Sequence, residues 1–121
     1  MMMRAILIDP EKRTINELQF EGGENGYKTI QAALGCDSFT QGAYLNGSIE
    51  AGFDVLYVSD DEISEESSPQ FWFQVDANRE PPSSYPLSGL GFVIGIDREG
   101  EECDARIGLD ELRRRITFTQ R

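Results

Sequence analysis

The sequence predicts an α+β domain with a mainly antiparallel sheet of about five to seven short strands and two short helices. Twelve Gly and five Pro residues separate short apolar runs, and this spacing favours strands and turns over a helical bundle. Helical spacing is confined to two short stretches. With 121 residues, 39% of them hydrophobic, the chain can build one core, so residues 1–121 are predicted to form a single domain.

The first third of the chain predicts a hairpin followed by a helix. Residues 4–8 are an arginine followed by a short apolar run, and residues 14–20 alternate polar with apolar side chains. The two segments are expected to pair through a turn at residues 9–13. Residues 27–34 have helical periodicity and end at Gly35, which favours a left-handed helix stop. One face of this helix would carry Tyr27, Ile30 and Leu34.

The middle of the chain predicts two strands between irregular segments. The segment before residue 50 gives no clear element, although Asn46-Gly47 is a turn signal. Residues 53–58 are typical of a buried strand, and residues 71–75 of another. Residues 76–85 contain two consecutive prolines and are expected to be irregular.

The last third predicts a hairpin, a helix and a terminal strand. Residues 86–97 form an apolar run interrupted by glycines, which turns at residues 98–101 toward a pairing segment at 102–107. Residues 109–116 have acids in the first helical turn and arginines in the last, as the helix dipole favours. Residues 117–119 would form a final strand, and its short edge could pair two copies of the chain.

The charge of the chain restricts its partners. The net charge is −11, and 16 of the 22 acids but only seven of the 11 bases follow residue 49. Such acidity argues against direct nucleic-acid binding and against an anionic membrane surface. There is no apolar run long enough to span a bilayer and no signal-like leader, so a cytoplasmic location is expected.

The residue types give no support for catalysis. Cys36 and Cys103 lie outside any CxxC pattern and the chain lacks His, so no metal, cofactor or activated serine is predicted. A carboxylate-based enzyme stays open as an alternative, because acids are abundant, but abundance alone carries no specificity. We therefore expect a non-enzymatic protein.

Several segments together resemble a known type of small protein. They are Arg4 to Pro10, Tyr27 to Gln31, Phe53 to Asp60, Pro86 to Gly91 and Ile116 to Phe118. With these loose strand and glycine patterns the chain resembles a family of small phage- and plasmid-borne proteins known only as a domain of unknown function. The resemblance implies an origin in a mobile element and a place in the host cytoplasm, and it implies no catalytic residue.

The first functional hypothesis is that the chain binds and modulates a host protein through an acidic surface that imitates nucleic acid. Like charges on one surface repel each other, so their excess suits a basic partner or serves solubility alone. The candidate partner-binding residues are Asp60, Asp61, Glu62, Glu65, Glu66, Glu99, Glu101 and Glu102.

The second hypothesis is a protein that binds or sequesters a small, nucleotide-like ligand. Alternation along residues 71–73 places Trp72 opposite two phenylalanines, which would present it as an anchor unless both sheet faces are covered. Glycines permit close approach of a ligand, but the glycine run lacks the spacing of a phosphate-binding loop. The candidate ligand-binding residues are Trp72, Arg79, Tyr85, Gly89 and Gly91.

Overall fold

A computed structural model describes residues 2–22, 26–35, 38–48, 50–59, 70–76 and 83–118, the segments 70–76 and 83–88 by their strand pairing alone. These residues form nine strands and two helices. In chain order they are β1 (Met2–Asp9), β2 (Thr14–Glu21), α1 (Gly26–Leu34), β3 (Phe39–Ser48), β4 (Gly52–Ser59), β5 (Gln70–Asp76), β6 (Ser83–Ser88), β7 (Gly91–Ile96), β8 (Glu102–Cys103), α2 (Leu109–Arg115) and β9 (Ile116–Phe118).

The strands form two antiparallel sheets. The larger sheet has the order β2-β1-β7-β4-β3, with β8 as a sixth strand paired to the end of β7. The smaller sheet has the order β6-β5-β9. The α+β class, the mainly antiparallel sheet and the two short helices are thus confirmed, and so is the first hairpin, in which β1 and β2 pair along their full length.

Both faces of the larger sheet carry apolar side chains, because successive residues of its inner strands point to opposite sides. One face, here called the helix face, packs under α1. Its buried residues are Met3, Ala5, Phe20, Val55, Phe92 and Ile94, with Ile30 and Leu34 from α1. The opposite face meets α2 and β9, and its buried residues include Ile6, Ile8, Leu56, Val58 and Val93, with Leu112 and Ile116.

Residues 104–107, here called the strap, cross the second face from β1 to β4. At β1, Arg4 accepts a hydrogen bond from the Ala105 N–H through its carbonyl (2.9 Å), and its Nη1 donates to the carbonyls of Ala105 (2.7 Å) and Ile107 (2.9 Å). Between them the strap passes over Gly95, where an added Cβ would collide with the Asp104 carbonyl. The glycine is required because backbone lies directly on the sheet there.

The Asp54 carboxylate holds the other end of the strap. Asp54 is fully buried, and its oxygens accept the backbone N–H groups of Arg106 (2.9 Å) and Ile107 (2.8 Å). The Arg106 guanidinium lies 3.5 Å away. A buried charge needs such partners to offset its lost hydration, so the strap and the sheet fix each other.

Two predictions for the glycine-rich regions are wrong in detail. The apolar run 86–97 is two strands, because Gly89 adopts φ +75° and turns the chain from β6 in the smaller sheet to β7 in the larger one. The residues 83–85, expected to be irregular, belong to β6. Proline is tolerated in that strand because β6 lies at the edge of its sheet.

Asn46-Gly47 is not the turn between β3 and β4. The two residues lie inside β3, at a register shift between Leu45 and Gly47, and Gly47 has φ +98°. A Cβ at this position would collide with the Gly52 carbonyl. The Gly47 conformation belongs to a bulge beside the turn, and a second shift between Gln41 and Ala43 further disrupts this edge strand, which hinders pairing with another chain.

The two helices follow their sequence signals. Gly35 ends α1 with φ +67°, and α2 has Asp110 in its first turn and arginines in its last. Neither described helix has the length and apolar composition that crossing a membrane requires.

Loss of the Asp54 carboxylate should strongly destabilise the fold. Asp54→Ala leaves the Arg106 and Ile107 N–H groups buried without an acceptor, and we expect a loss of about 3–5 kcal/mol in the free energy of unfolding. Urea denaturation followed by circular dichroism measures it, with Asp54→Asn as a milder variant. Glu99→Ala, at an exposed ion pair with Arg98, should change stability by no more than about 0.5 kcal/mol. Equal midpoints for Asp54→Ala and wild type would contradict the assigned role.

Candidate binding surface

Part of the helix face is left open by the short helix α1. This helix packs mainly on β2 and β7, so the neighbouring strands β4 and β3 are covered less completely. The side chains there are aromatic, and we call them the aromatic surface. Its members are Tyr27, Phe39, Tyr44, Phe53 and Tyr57. Tyr27 and Tyr44 are each 56% exposed, whereas the other three are partly buried against the core.

The rings of this surface pack against one another. Phe39 lies between Tyr27 and Tyr57, with ring centroids 4.7 and 4.9 Å away. Tyr44 packs edge-on against Phe53, with centroids 5.2 Å apart. Such tilted and edge-to-face contacts are favourable and restrict ring motion, so the surface is pre-formed.

Gln41 joins the two groups of rings through its amide. The Tyr44 hydroxyl donates a hydrogen bond to Gln41 Oε1. Gln41 stands in register with Tyr57 of β4, and its side-chain hydrogen bond lowers the pKa of the Tyr57 hydroxyl. These bonds hold both hydroxyl groups in place.

Glu102 lies at one end of the aromatic surface. It pairs with Ile96 of β7, which in turn pairs with Phe53 of β4, so the three residues form one row on the helix face, about 5 Å apart from strand to strand. The carboxylate contacts Gly26, the first residue of α1, where an added Cβ would lie 2.9 Å from the Glu102 Cδ. In the part of the chain that the structure describes, no ion pair includes Glu102.

Burial sets the acid–base properties of this end of the surface. It raises the pKa of the Glu102 carboxyl above its ordinary value. The pKa of the Tyr57 hydroxyl is also raised, first by burial and then by the negative charge of Glu102, although the Gln41 hydrogen bond lowers it. A cation placed beside Glu102 would favour its ionised form.

The predicted acidic residues are only partly placed. Asp60, Asp61, Glu62, Glu65 and Glu66 lie outside the described residues. Glu99 and Glu101 are exposed at the turn between β7 and β8, and Glu102 follows them. Because β4 and β7 are antiparallel, Ser59 at the end of β4 lies at the opposite end of the sheet from this turn. A joint acidic surface of the two segments stays a prediction.

The predicted ligand residues are spread over the fold. Gly89 and Gly91 lie at the passage from one sheet to the other, and Arg79 is outside the described residues. Tyr85 and Trp72 are on neighbouring strands, and Trp72 stands in register with Thr117. Ligand binding there stays a prediction.

Phe39, Gln41 and Tyr44 were not predicted as site residues, because the pattern of their segment indicates no clear element. Only Ala43, Tyr44 and Leu45 follow the two-residue period of a strand, because the bulge at Gly42 interrupts the pattern. Tyr57 and Phe53 were assigned only to a buried strand, which left their partly open face unrecognised.

No family model, curated protein or solved structure matches this chain. Among the described residues, no group of three or more Cys, Asp or Glu side chains is arranged to hold a metal ion. The described thiol, Cys103, is partly buried, and burial is the largest of the effects that raise its pKa, so the unreactive thiol form is favoured. The aromatic surface with Glu102 at its end is the strongest candidate site.

The raised pKa of Glu102 should appear as a pH-dependent cost to stability. The folded chain holds this proton more tightly than the unfolded chain, so wild type loses stability as the pH rises from the unfolded to the folded pKa. Glu102→Gln cannot titrate, and its stability relative to wild type should therefore increase over that interval. Thermal unfolding from about pH 3.5 to about pH 7.5 covers the range.

Glu101→Gln makes the same change in net charge at an exposed neighbouring position, and its curve supplies the contribution of net charge alone. A Glu102→Gln curve that coincides with the Glu101→Gln curve at every pH would refute a partly buried carboxylate at position 102 whose ionisation costs stability.

Proposed function

We propose that the chain is a non-enzymatic binding protein whose aromatic surface docks a basic protein partner. The observation that carries this proposal is the pre-formed group of five aromatic side chains, open to solvent at Tyr27 and Tyr44 and bordered by Glu102. Tyrosines with fixed hydroxyl groups supply large contact areas at low entropic cost and are common anchors of protein interfaces.

The charge of the chain supports a basic partner. A net charge of −11 creates a negative potential that attracts cationic proteins, speeds their encounter and repels acidic ones. Glu99 and Glu101 are exposed next to Glu102, so the predicted acidic turn borders the aromatic surface. Aromatic contacts would provide the affinity, and the acids would select a partner with positive charge.

The family resemblance supports a biological setting for such binding. An accessory protein of a phage or plasmid would use this surface to bind and modulate a host protein in the host cytoplasm. Host proteins that handle nucleic acid carry basic faces, which makes them suitable partners. In this proposal the acids of residues 60–66 contribute through their charge alone.

Removal of Tyr44 should weaken binding to a basic peptide without a change in charge. The probe is a fluorescently labelled peptide of alternating arginine and leucine, whose binding is followed by anisotropy. Tyr44→Ala should raise its Kd by about tenfold, the effect of losing one interface anchor worth about 1.4 kcal/mol. Binding by wild type should also weaken when the salt concentration is raised from about 0.05 M to about 0.5 M.

Met2→Ala is the matched control, because Met2 is also 56% exposed but lies on β1, and it should leave the Kd unchanged. An equal Kd for Tyr44→Ala and wild type would contradict the proposal, because net charge alone would then account for the binding. A Kd that does not change with salt concentration would refute the selection of a basic partner.

A further inference from the structure

We infer that the partner binds as an amphipathic α-helix, which lies over β3 and β4 beside α1. This inference rests on the proposed function, and it adds which secondary structure the partner presents to the aromatic surface. One side of the partner helix is apolar and contacts the exposed tyrosines. The cationic residues that flank this side approach the acidic turn between β7 and β8.

The width of the larger sheet leaves room for one more helix on the helix face. The strands from β2 to β3 span about 19 Å, at about 4.8 Å per interval, whereas a helix with its side chains is about 10 Å wide. The helix α1 packs mainly on β2 and β7, and α2 packs on the opposite face through Leu112. A further helix beside α1 would therefore lie over β4 and β3 and meet the exposed rings of Tyr27 and Tyr44.

The length of the aromatic surface matches a helix of about four turns. Phe39 pairs with Ser59 at one end of β4, and Phe53 lies at the other end of that strand, about 20 Å away. A helix rises about 1.5 Å per residue, so about 13 residues cover this length. Apolar side chains recur every three or four residues along one side of such a helix, and several of them could contact the surface at once.

The irregular edge strand β3 favours a helix over an extended partner. An extended peptide would add to the sheet through the backbone of β3, which requires a regular row of donors and acceptors. The register of β3 shifts at residues 41–43 and again at residues 45–47, and each bulge disrupts that row. The side chains of β3 and β4 remain as the contacts. A helix suits them, because its backbone groups are hydrogen-bonded within the helix and it presents side chains alone.

The turn between β7 and β8 supplies negative charge at one end of the surface. Phe53 pairs with Ile96, the last residue of β7, so this turn lies next to the Phe53 end. Residues 97–102 contain four acids and one base, and Glu99 and Glu101 are exposed. Cationic side chains of the partner helix would lie in the field of these acids, which favours a basic helix over a neutral one.

The test compares two labelled peptides of about 14 residues with the same arginine and leucine content. One alternates the two residues, which is the period of a strand, and the other places its leucines on one side of a helix. The helical peptide should bind wild type with a Kd at least about tenfold lower, because it can bury at least one leucine more. The ¹³Cα shifts of the bound helical peptide should move to helical values. Tyr27→Ala and Tyr44→Ala should each raise its Kd, and Met2→Ala should not.

A proline in place of one central arginine of the helical peptide breaks the helix and keeps every leucine. It should raise the Kd by at least about tenfold relative to alanine at the same position. Equal Kd values for the helical and the alternating peptide, or for the proline and the alanine peptide, would overturn the inference. A dimer of the free protein that Tyr44→Ala dissociates in sedimentation would also overturn it, because a second copy would then occupy the surface.

The two proposals can fail separately. An alternating peptide that requires Tyr44 and binds as tightly as the helical one would overturn the partner helix and leave the proposed function standing. If both peptides bind Tyr44→Ala as tightly as wild type, the proposed function itself is refuted.

Discussion

The buried carboxylate of Asp54 ties the strap to strand β4 of the larger sheet. A charge without solvent contact is tolerated only where donors surround it, and here the donors are the backbone N–H groups of Arg106 and Ile107. They belong to the strap, so the requirement of one side chain fixes a chain segment more than 50 residues away. Arg4 fixes the same segment from the other side by donating to its carbonyls.

The anchored strap restricts the position of Glu102. Residues 102 and 103 pair with the end of β7, and the strap begins at the next residue. With the strap tied to β1 and β4, β8 has little freedom to shift, and Glu102 is held on the helix face beside Gly26. Asp54 and Glu102 thus lie on opposite faces of the sheet: the Asp54 charge is satisfied by donors inside the chain, and Glu102 borders the surface that we propose for partner binding.

Elements defined by neighbouring residues could be predicted from the sequence. The first hairpin, α1 with its stop at Gly35 and α2 with its charged ends depend on local periodicity and on the helix dipole. The apolar pattern of residues 86–97 predicts one strand, because periodicity does not show that the chain turns at Gly89 and continues in another sheet. The strap was equally hidden, since its bonds to Arg4 and Asp54 depend on contacts distant in sequence.

The candidate site could be predicted from the sequence only in part. Glu102 was selected from the sequence as one of many acids, whereas its position depends on strand pairing. Tyr44 could not be selected, because exposure of an aromatic residue in β3 depends on how much of the sheet α1 covers. The sequence does contain one signal for the strap. Asp54 is the single charged residue in an apolar strand, and a carboxylate in that setting requires hydrogen-bond partners.

We propose that a basic partner binds the helix face over β3 and β4 and reaches Glu102. Amide hydrogen exchange of the protein with and without a saturating arginine-leucine peptide tests this proposal. We expect the peptide to slow exchange in residues 39–45 and 102–103 and to leave β2 and α2 unchanged. Protection confined to β2 and α2, or spread evenly over the chain, would contradict it.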